Sequence, residues 1–157
     1  MKSSHFDNKG NAKMVDVSKK KITTRLAKAE GYIFMLSSTL KMIKKGTHKK
    51  GDVLSVARIA GIMSAKKTSD IIPLCHPIGI EAINIEFKIN ETSNNIKITA
   101  SCKTNNKTGI EIEALTAVSV SALTIYDMCK SVDRSMCISN IALLHKSGGK
   151  SGTYNKK

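Results

Sequence analysis

Apolar and polar residues alternate along Ile83, Ile85, Phe87 and Ile89, with Asn84, Glu86 and Lys88 between them. After NETSNN the same period resumes at Ile96, Ile98 and Ala100, interleaved with Lys97, Thr99 and Ser101. A period of two puts all the apolar side chains on one side of an extended chain, so these two runs predict an antiparallel hairpin with one wet face. Upstream, ITTRLAKAEGYIFM (residues 22–35) is rich in Thr, Ile and aromatics and predicts a strand, preceded by a shorter one at MVDVS (14–18). LSSTLKMIKKG (36–46) predicts a short helix ending at Gly46. In KGDVLSVARIAGIMSAKKTSD (50–70), Val53, Val56, Ala57, Ala60 and Met63 recur at helical spacing behind a candidate N-cap, Asp52. That is a helix of roughly four turns, and Gly61 inside it predicts close packing against a neighbour. The run 113–133 carries Thr, Val and Ser, but it has 21 residues without Gly or Pro, too long for an ordinary strand, and predicts a second long helix. A last strand is expected at CISNIALLH (137–145). The sum is an α+β domain, an antiparallel sheet covered on one face by helices.

The chain has 157 residues, with no repeat and no low-complexity linker, and is expected to form one domain over 1–157 with flexible ends at about 1–13 and 148–157. Cys75, Cys102, Cys129 and Cys137 form no CxxC pair and no dense framework, which suggests reduced thiols. The start MKSSHFDNKGNAK lacks the apolar core of a signal peptide, and no uninterrupted apolar run reaches the length of a membrane span, so a cytoplasmic protein with no membrane partner is expected. The formal charge of +14 favours an anionic partner. Of 26 basic residues only three are arginines, and aromatics are 4%, which weighs against a nucleic-acid reader and towards a phosphorylated small molecule. Runs such as KKK at 19–21 are assigned to solvated faces.

Candidate chemistry begins at IIPLCHP (71–77), which holds both prolines of the chain around Cys75 and His76. Each proline fixes its own φ and steers its predecessor out of helix, so the stretch is a stiffened loop. It either presents Cys75 and His76 to a ligand or simply connects a helix to a strand. On the second long helix Asp127, Lys130 and Arg134 fall at i, i+3 and i+7 on one face, as a site or as a solvated ion-pair ladder. Glu111 and Glu113 either point together into a site or complement the helix N-terminus. SGGKSG near the end is not a phosphate loop of the Walker type, because Leu144 stands where that pattern needs glycine.

MVDVS, KGDVLSVARIAGIMSAKKTSDIIPLCHP, TGIEIEALTAVSVSALTIYDMCKSVDR and LLHKSGGKSG closely resemble, in consistent order from about residue 5 to 153, the MoaC-type cyclic pyranopterin monophosphate synthases of molybdenum-cofactor biosynthesis. The resemblance implies a ferredoxin-like α+β fold and self-association to a homohexamer, a trimer of dimers with interfacial sites. It also implies conversion of 3',8-cyclo-7,8-dihydroguanosine triphosphate to cyclic pyranopterin monophosphate, with release of pyrophosphate. By position it assigns the catalytic aspartate to Asp127, with Lys130 beside it, and substrate contacts to Leu74, Cys75, His76, Ile112 and Glu113. Arg25, Lys50, Lys66, Glu111 and Lys146 fall around the pocket. Ile112 stands where the family usually has methionine, a change that conserves volume and polarity.

These residue types suit that chemistry. Lys50, Lys66, Lys130 and Lys146 can hold a triphosphate and stabilise departing pyrophosphate, while Asp127, Glu113 and His76 are candidates for moving protons during ring opening and closure. Cys75 is expected as a wall residue rather than a nucleophile. No cofactor and no metal site are expected, since a Cys-His neighbour pair supplies at most two ligands. The rival class is a binding protein, either a basic RNA-associated module or a structural oligomer without catalysis. Lys50 and Lys66 flank one helix, sixteen residues and so roughly 24 Å apart, too far to converge on one triphosphate. Either the helix breaks near Gly61, or two subunits contribute to each site.

Overall fold

The computed structural model describes residues 5–49 and 51–157. Its elements run β1 (Thr23–Phe34), α1 (Ser37–Lys45), α2 (Val53–Lys66), α3 (Thr68–Ile71), β2 (Ala82–Asn90), β3 (Asn95–Asn106), α4 (Glu111–Cys129), β4 (Cys137–Ser147) and β5 (Tyr154–Asn155). The sheet order is β2-β3-β1-β4-β5, with every neighbouring pair antiparallel. Helices between β1 and β2 and between β3 and β4 make the β-α-β-β-α-β arrangement of a ferredoxin-like fold.

The hairpin expected from the alternating pattern is β2–β3, in register from Ala82↔Lys103 to Asn90↔Asn95. Its turn places Asn94 at φ 48°, and Asn90 Oδ1 accepts from Ser93 N at 3.1 Å. Asn is among the few side-chain-bearing residues that enter this left-handed region at low cost. Ile85, Ile96, Ile98, Ala100 and Cys102 face inward with Ala27, Ala29 and Ile33 of β1, and α4 covers them with Ala114, Ala117, Val118, Ala122 and Ile125. The opposite face is polar; there Lys97 pairs with Glu30 at 2.6 Å and lies 5.5 Å from the centre of the Tyr32 ring. α4 is long and apolar enough to cross a membrane, yet it is half-buried as the core helix between the sheet and α2.

Three expectations need correction. Residues 14–18 pair with no strand: Val15 and Val17 turn towards a cavity, and the Val15 carbonyl bonds to a histidine ring instead of a ladder. On α2 the buried stripe is Val53, Ala57, Gly61, Ser64 and Ala65, whereas Val56 and Met63 are 43% and 55% exposed. The reason is close approach to α4. A Cβ on Gly61 would stand 2.2 Å from Ser121 Oγ and 2.9 Å from the Ala117 carbonyl, and Ser121 Oγ donates to Ala57 O at 3.1 Å. Small residues therefore occupy the inner face, and Val56, Ile59 and Met63 turn outward. Lastly, α4 stops at Cys129, so Arg134 leaves the helical face of Asp127; its carbonyl accepts from the Tyr126 hydroxyl at 3.4 Å. α2 is unbroken at Gly61.

The turn after α4 also secures α1. Leu36, the N-cap of α1, offers no side-chain acceptor. Asp133, 3% exposed, replaces it: Oδ2 accepts from Leu36 N at 2.8 Å and from Thr39 Oγ1 at 3.1 Å, and Oδ1 accepts from Ser135 N and Oγ. Burial alone would raise the Asp133 pKa, but these donors outweigh it and hold the carboxyl below the ordinary range.

Candidate active site

The first turn of α4, the end of β3, the proline loop and the N-terminal segment meet around two adjoining cavities, of about 560 and 760 Å³. Thr108, Gly109, Glu111 and Lys20 border both.

The smaller cavity is apolar with a reactive edge. Val15, Val17, Ile72, Leu74 and Ile112 form walls, and Cys75, His76 and Glu113 stand among its polar members, with Lys20, Thr108 and Glu111 where it meets the larger cavity. Glu113 is 3% exposed. Burial raises its pKa above the ordinary carboxylate value and the neighbouring Glu111 charge adds to this, against hydrogen bonds from its own backbone and Cys75. Cys75 Sγ donates to Glu113 Oε1 at 3.5 Å; burial first, then the Glu113 charge, push this thiol up to about 11. Burial and the same carboxyl push Cys102 up to about 12. A thiol so far from ionising is a wall and a hydrogen-bond donor rather than a nucleophile. Cys129 is buried, while Cys137, at the start of β4, is exposed. His76 Nε2 lies 2.8 Å from the Val15 carbonyl. A carbonyl can only accept, so Nε2 is the donor in this contact.

The larger cavity is cationic. Lys19, Lys20, Lys21, Arg25, Lys107, Lys146 and Lys150 line it against one carboxylate, Glu111. Arg25, 9% exposed, projects from β1 and donates to the Asn106 and Lys107 carbonyls, each at 3.3 Å. Lys146 on β4 lies 3.8 Å from Glu111 and also donates to the Ser151 hydroxyl. The glycines of SGGKSG let the chain close over Arg25: Gly149 has φ +75°, and a Cβ there would stand 1.7 Å from Arg25 Nη1. Glu111 and Glu113 both occupy the first turn of α4, where negative charge complements the helix dipole; Glu113 also faces the smaller cavity.

Eight of the residues singled out from sequence thus come together: Arg25, Leu74, Cys75, His76, Glu111, Ile112, Glu113 and Lys146. Asp127 and Lys130 do not join them. They form an ion pair of 2.6 Å at the exposed far end of α4. Lys66 is exposed at the end of α2, and Lys50 lies outside the described residues. Lys19–Lys21 are exposed, as the sequence reading assigned them, but they also border the cleft, and that reading did not single out Lys107, Lys150 or the apolar contribution of Val15 and Val17. The alternation in MVDVS was the available signal; it marked a segment with one inward side, though not a strand. Among the described residues no three His, Cys, Asp or Glu side chains gather as metal ligands would.

Fold and site together define a ferredoxin-like α+β domain with a cationic cleft opening beside an enclosed carboxyl. The chain belongs to the MoaC family, which it matches over residues 14–149. It is 56% identical over 154 residues to a cyclic pyranopterin monophosphate synthase of Clostridium perfringens (strain 13 / Type A), covering 98% of both chains. A solved structure of a mutant of the ferredoxin protease FusC, in complex with Arabidopsis ferredoxin, aligns at a TM-score of 0.33 and 9% identity, over 69% of this chain and 10% of that one. That likeness is too slight to carry weight.

Proposed function

We propose that this chain is a cyclic pyranopterin monophosphate synthase of molybdenum-cofactor biosynthesis. It converts 3',8-cyclo-7,8-dihydroguanosine triphosphate to cyclic pyranopterin monophosphate and pyrophosphate, as a cytoplasmic lyase. The observation that carries this reading is the joined pair of cavities. A polyanionic chain fits the compartment with seven cations and one carboxylate, while a neutral ring system fits the adjoining apolar compartment with Glu113, Cys75 and His76 at its edge. Placed cations hold the phosphates and stabilise charge on departing pyrophosphate. Glu113, whose pKa burial raises above the ordinary carboxylate value, is suited to give and take a proton. The Cys75 thiol, hydrogen-bonded to it, fixes the carboxyl's orientation.

Asp127 and Lys130 enter this reading from a second subunit. Glu113 and Asp127 are fourteen positions apart on the continuous helix α4, hence about 21 Å along its axis. One small ligand cannot touch both on one chain. A homohexamer, a trimer of dimers with each site across a dimer interface, brings the two ends together from different copies. The outward apolar row Val56, Ile59 and Met63 on α2, with Leu123 on α4, supports self-association. Incubation with the cyclised GTP intermediate, followed by analysis for the cyclic pterin product and pyrophosphate, tests the assignment. A folded protein that forms neither overturns it.

A further inference from the structure

We propose that Lys107 is a positioning residue that holds the segment Val15–Lys21 against the site. The segment has no strand partner, and it is attached at two points three residues apart: His76 Nε2 donates to Val15 O, and Lys107 Nζ donates to Ser18 O at 2.8 Å. Val15 and Val17, near the first attachment, wall the apolar compartment. Lys19, Lys20 and Lys21, immediately after the second, line the cationic one. Lys107 is itself fixed. Asn106 Oδ1 accepts from Lys107 N at 2.7 Å, and the carbonyls of both residues hold the buried Arg25 guanidinium.

Electrostatics shows why an anchor is needed. Three adjacent ammonium groups of the segment stand around the same space as Arg25, Lys146 and Lys150, and like charges sharing a cavity push the segment away. Lys107 opposes this through a carbonyl rather than a carboxylate. It anchors the backbone, and its charge attracts the Asp16 carboxylate of the same segment while still bordering the cleft that a polyanion meets. The Asp16 side chain accepts from Ser18 N at 2.8 Å, which turns the chain just before the lysines. A polyanion in the cavity relieves the repulsion that the anchor resists, so binding and segment order reinforce each other.

The test compares Lys107→Met, Lys107→Arg and Lys103→Met. Lys103 is exposed on β3, outside both cavities, so its substitution removes the same charge without touching the segment. In the free protein, Lys107→Met should raise amide hydrogen exchange across residues 15–21 at least about tenfold without lowering the global melting temperature. It should also raise KM for the cyclised triphosphate about tenfold while kcat stays within about twofold. Lys107→Arg, which can still donate to Ser18 O, should restore both, and Lys103→Met should change neither. Unchanged exchange in Lys107→Met overturns the proposal. So does an equal KM rise in Lys103→Met, which would make bulk charge the cause, or raised exchange with unaltered kinetics. Should Lys107→Met fail to fold, Lys107→Gln is read in the same way. The kinetic arm rests on the function proposed above and the exchange arm does not, so a chain without turnover would refute that function while exchange still decides the role of Lys107.

Discussion

Subunit complementation gives the sharpest check on how the two ends of α4 are used. Glu113→Gln and Asp127→Asn each keep side-chain volume and remove a carboxyl, so each should retain fold and oligomer size while lowering kcat at least about 100-fold. The roughly 21 Å between the two positions requires that a site using both draws them from different chains. In a two-fold-symmetric pair each interface then holds two such sites. Mix equal amounts of the two inactive variants and let subunits exchange: half of the pairs become mixed. In a mixed pair one site receives both intact carboxyls and the other receives both lesions. About one quarter of wild-type specific activity should therefore return, measured as pyrophosphate release and as cyclic product by chromatography. Recovery should follow the time course of exchange and be absent before it. Activity that stays at the level of the separate variants, in a mixture shown to have exchanged, would refute the division of the site between chains. Near-normal turnover by Asp127→Asn alone would return that residue to a surface ion pair.

Removing the Glu113 carboxyl should also stabilise the protein, since its folded pKa is raised. Wild-type stability is then fully present below the ordinary carboxylate pKa and is lost as pH rises through the folded value, so the melting-temperature advantage of Glu113→Gln should widen over that window; a constant gap would contradict it. Asp133→Ala leaves the Leu36 amide and Thr39 hydroxyl without their buried acceptor and should cost about 2–3 kcal/mol by denaturant titration at pH 7. Because the Asp133 pKa is depressed, this loss should shrink as pH falls through the folded value; persistence in acid would argue for packing as the cause. Gly61→Ala, which drives a methyl into Ser121 Oγ and the Ala117 carbonyl, should destabilise by about 1–3 kcal/mol; a neutral result would mean that α2 slides freely on α4.

Elements governed by local periodicity were legible in the sequence. The β2–β3 hairpin follows from strict alternation between a dry and a wet face, and α4 from a long run without Gly or Pro. The burial side of α2 was not legible, because helical spacing says which residues share a face and not which face turns inward. There the decision came from the distance between two helices, set by Gly61, Ser121 and Ala117, which are remote in sequence. The candidate site divided in the same way. IIPLCHP announced itself by its prolines, and Glu113 by its place at a helix start. Lys19–Lys21 looked like solvated charge alone because nothing local connects them to Lys107 or to Arg25, which reach them only through the closing of the sheet. Asp127 and Arg134 shared a face by arithmetic alone, and the early end of α4 separated them.

The four thiols give the chain a labelling chemistry without mutagenesis. Thiol-directed reagents consume thiolate, and at pH 7 a group at about 11, like Cys75, is ionised in roughly one molecule in ten thousand. Cys102 is lower still, and Cys129 is shielded by burial, so maleimide chemistry should stop at the exposed Cys137. Because Cys137 opens β4 opposite Phe34, a dye there sits at the end of the sheet away from Lys146 and the cationic cleft. Two batches carrying a donor and an acceptor fluorophore at that single position would report the mixing of subunits in real time, on unmodified sequence and under assay conditions.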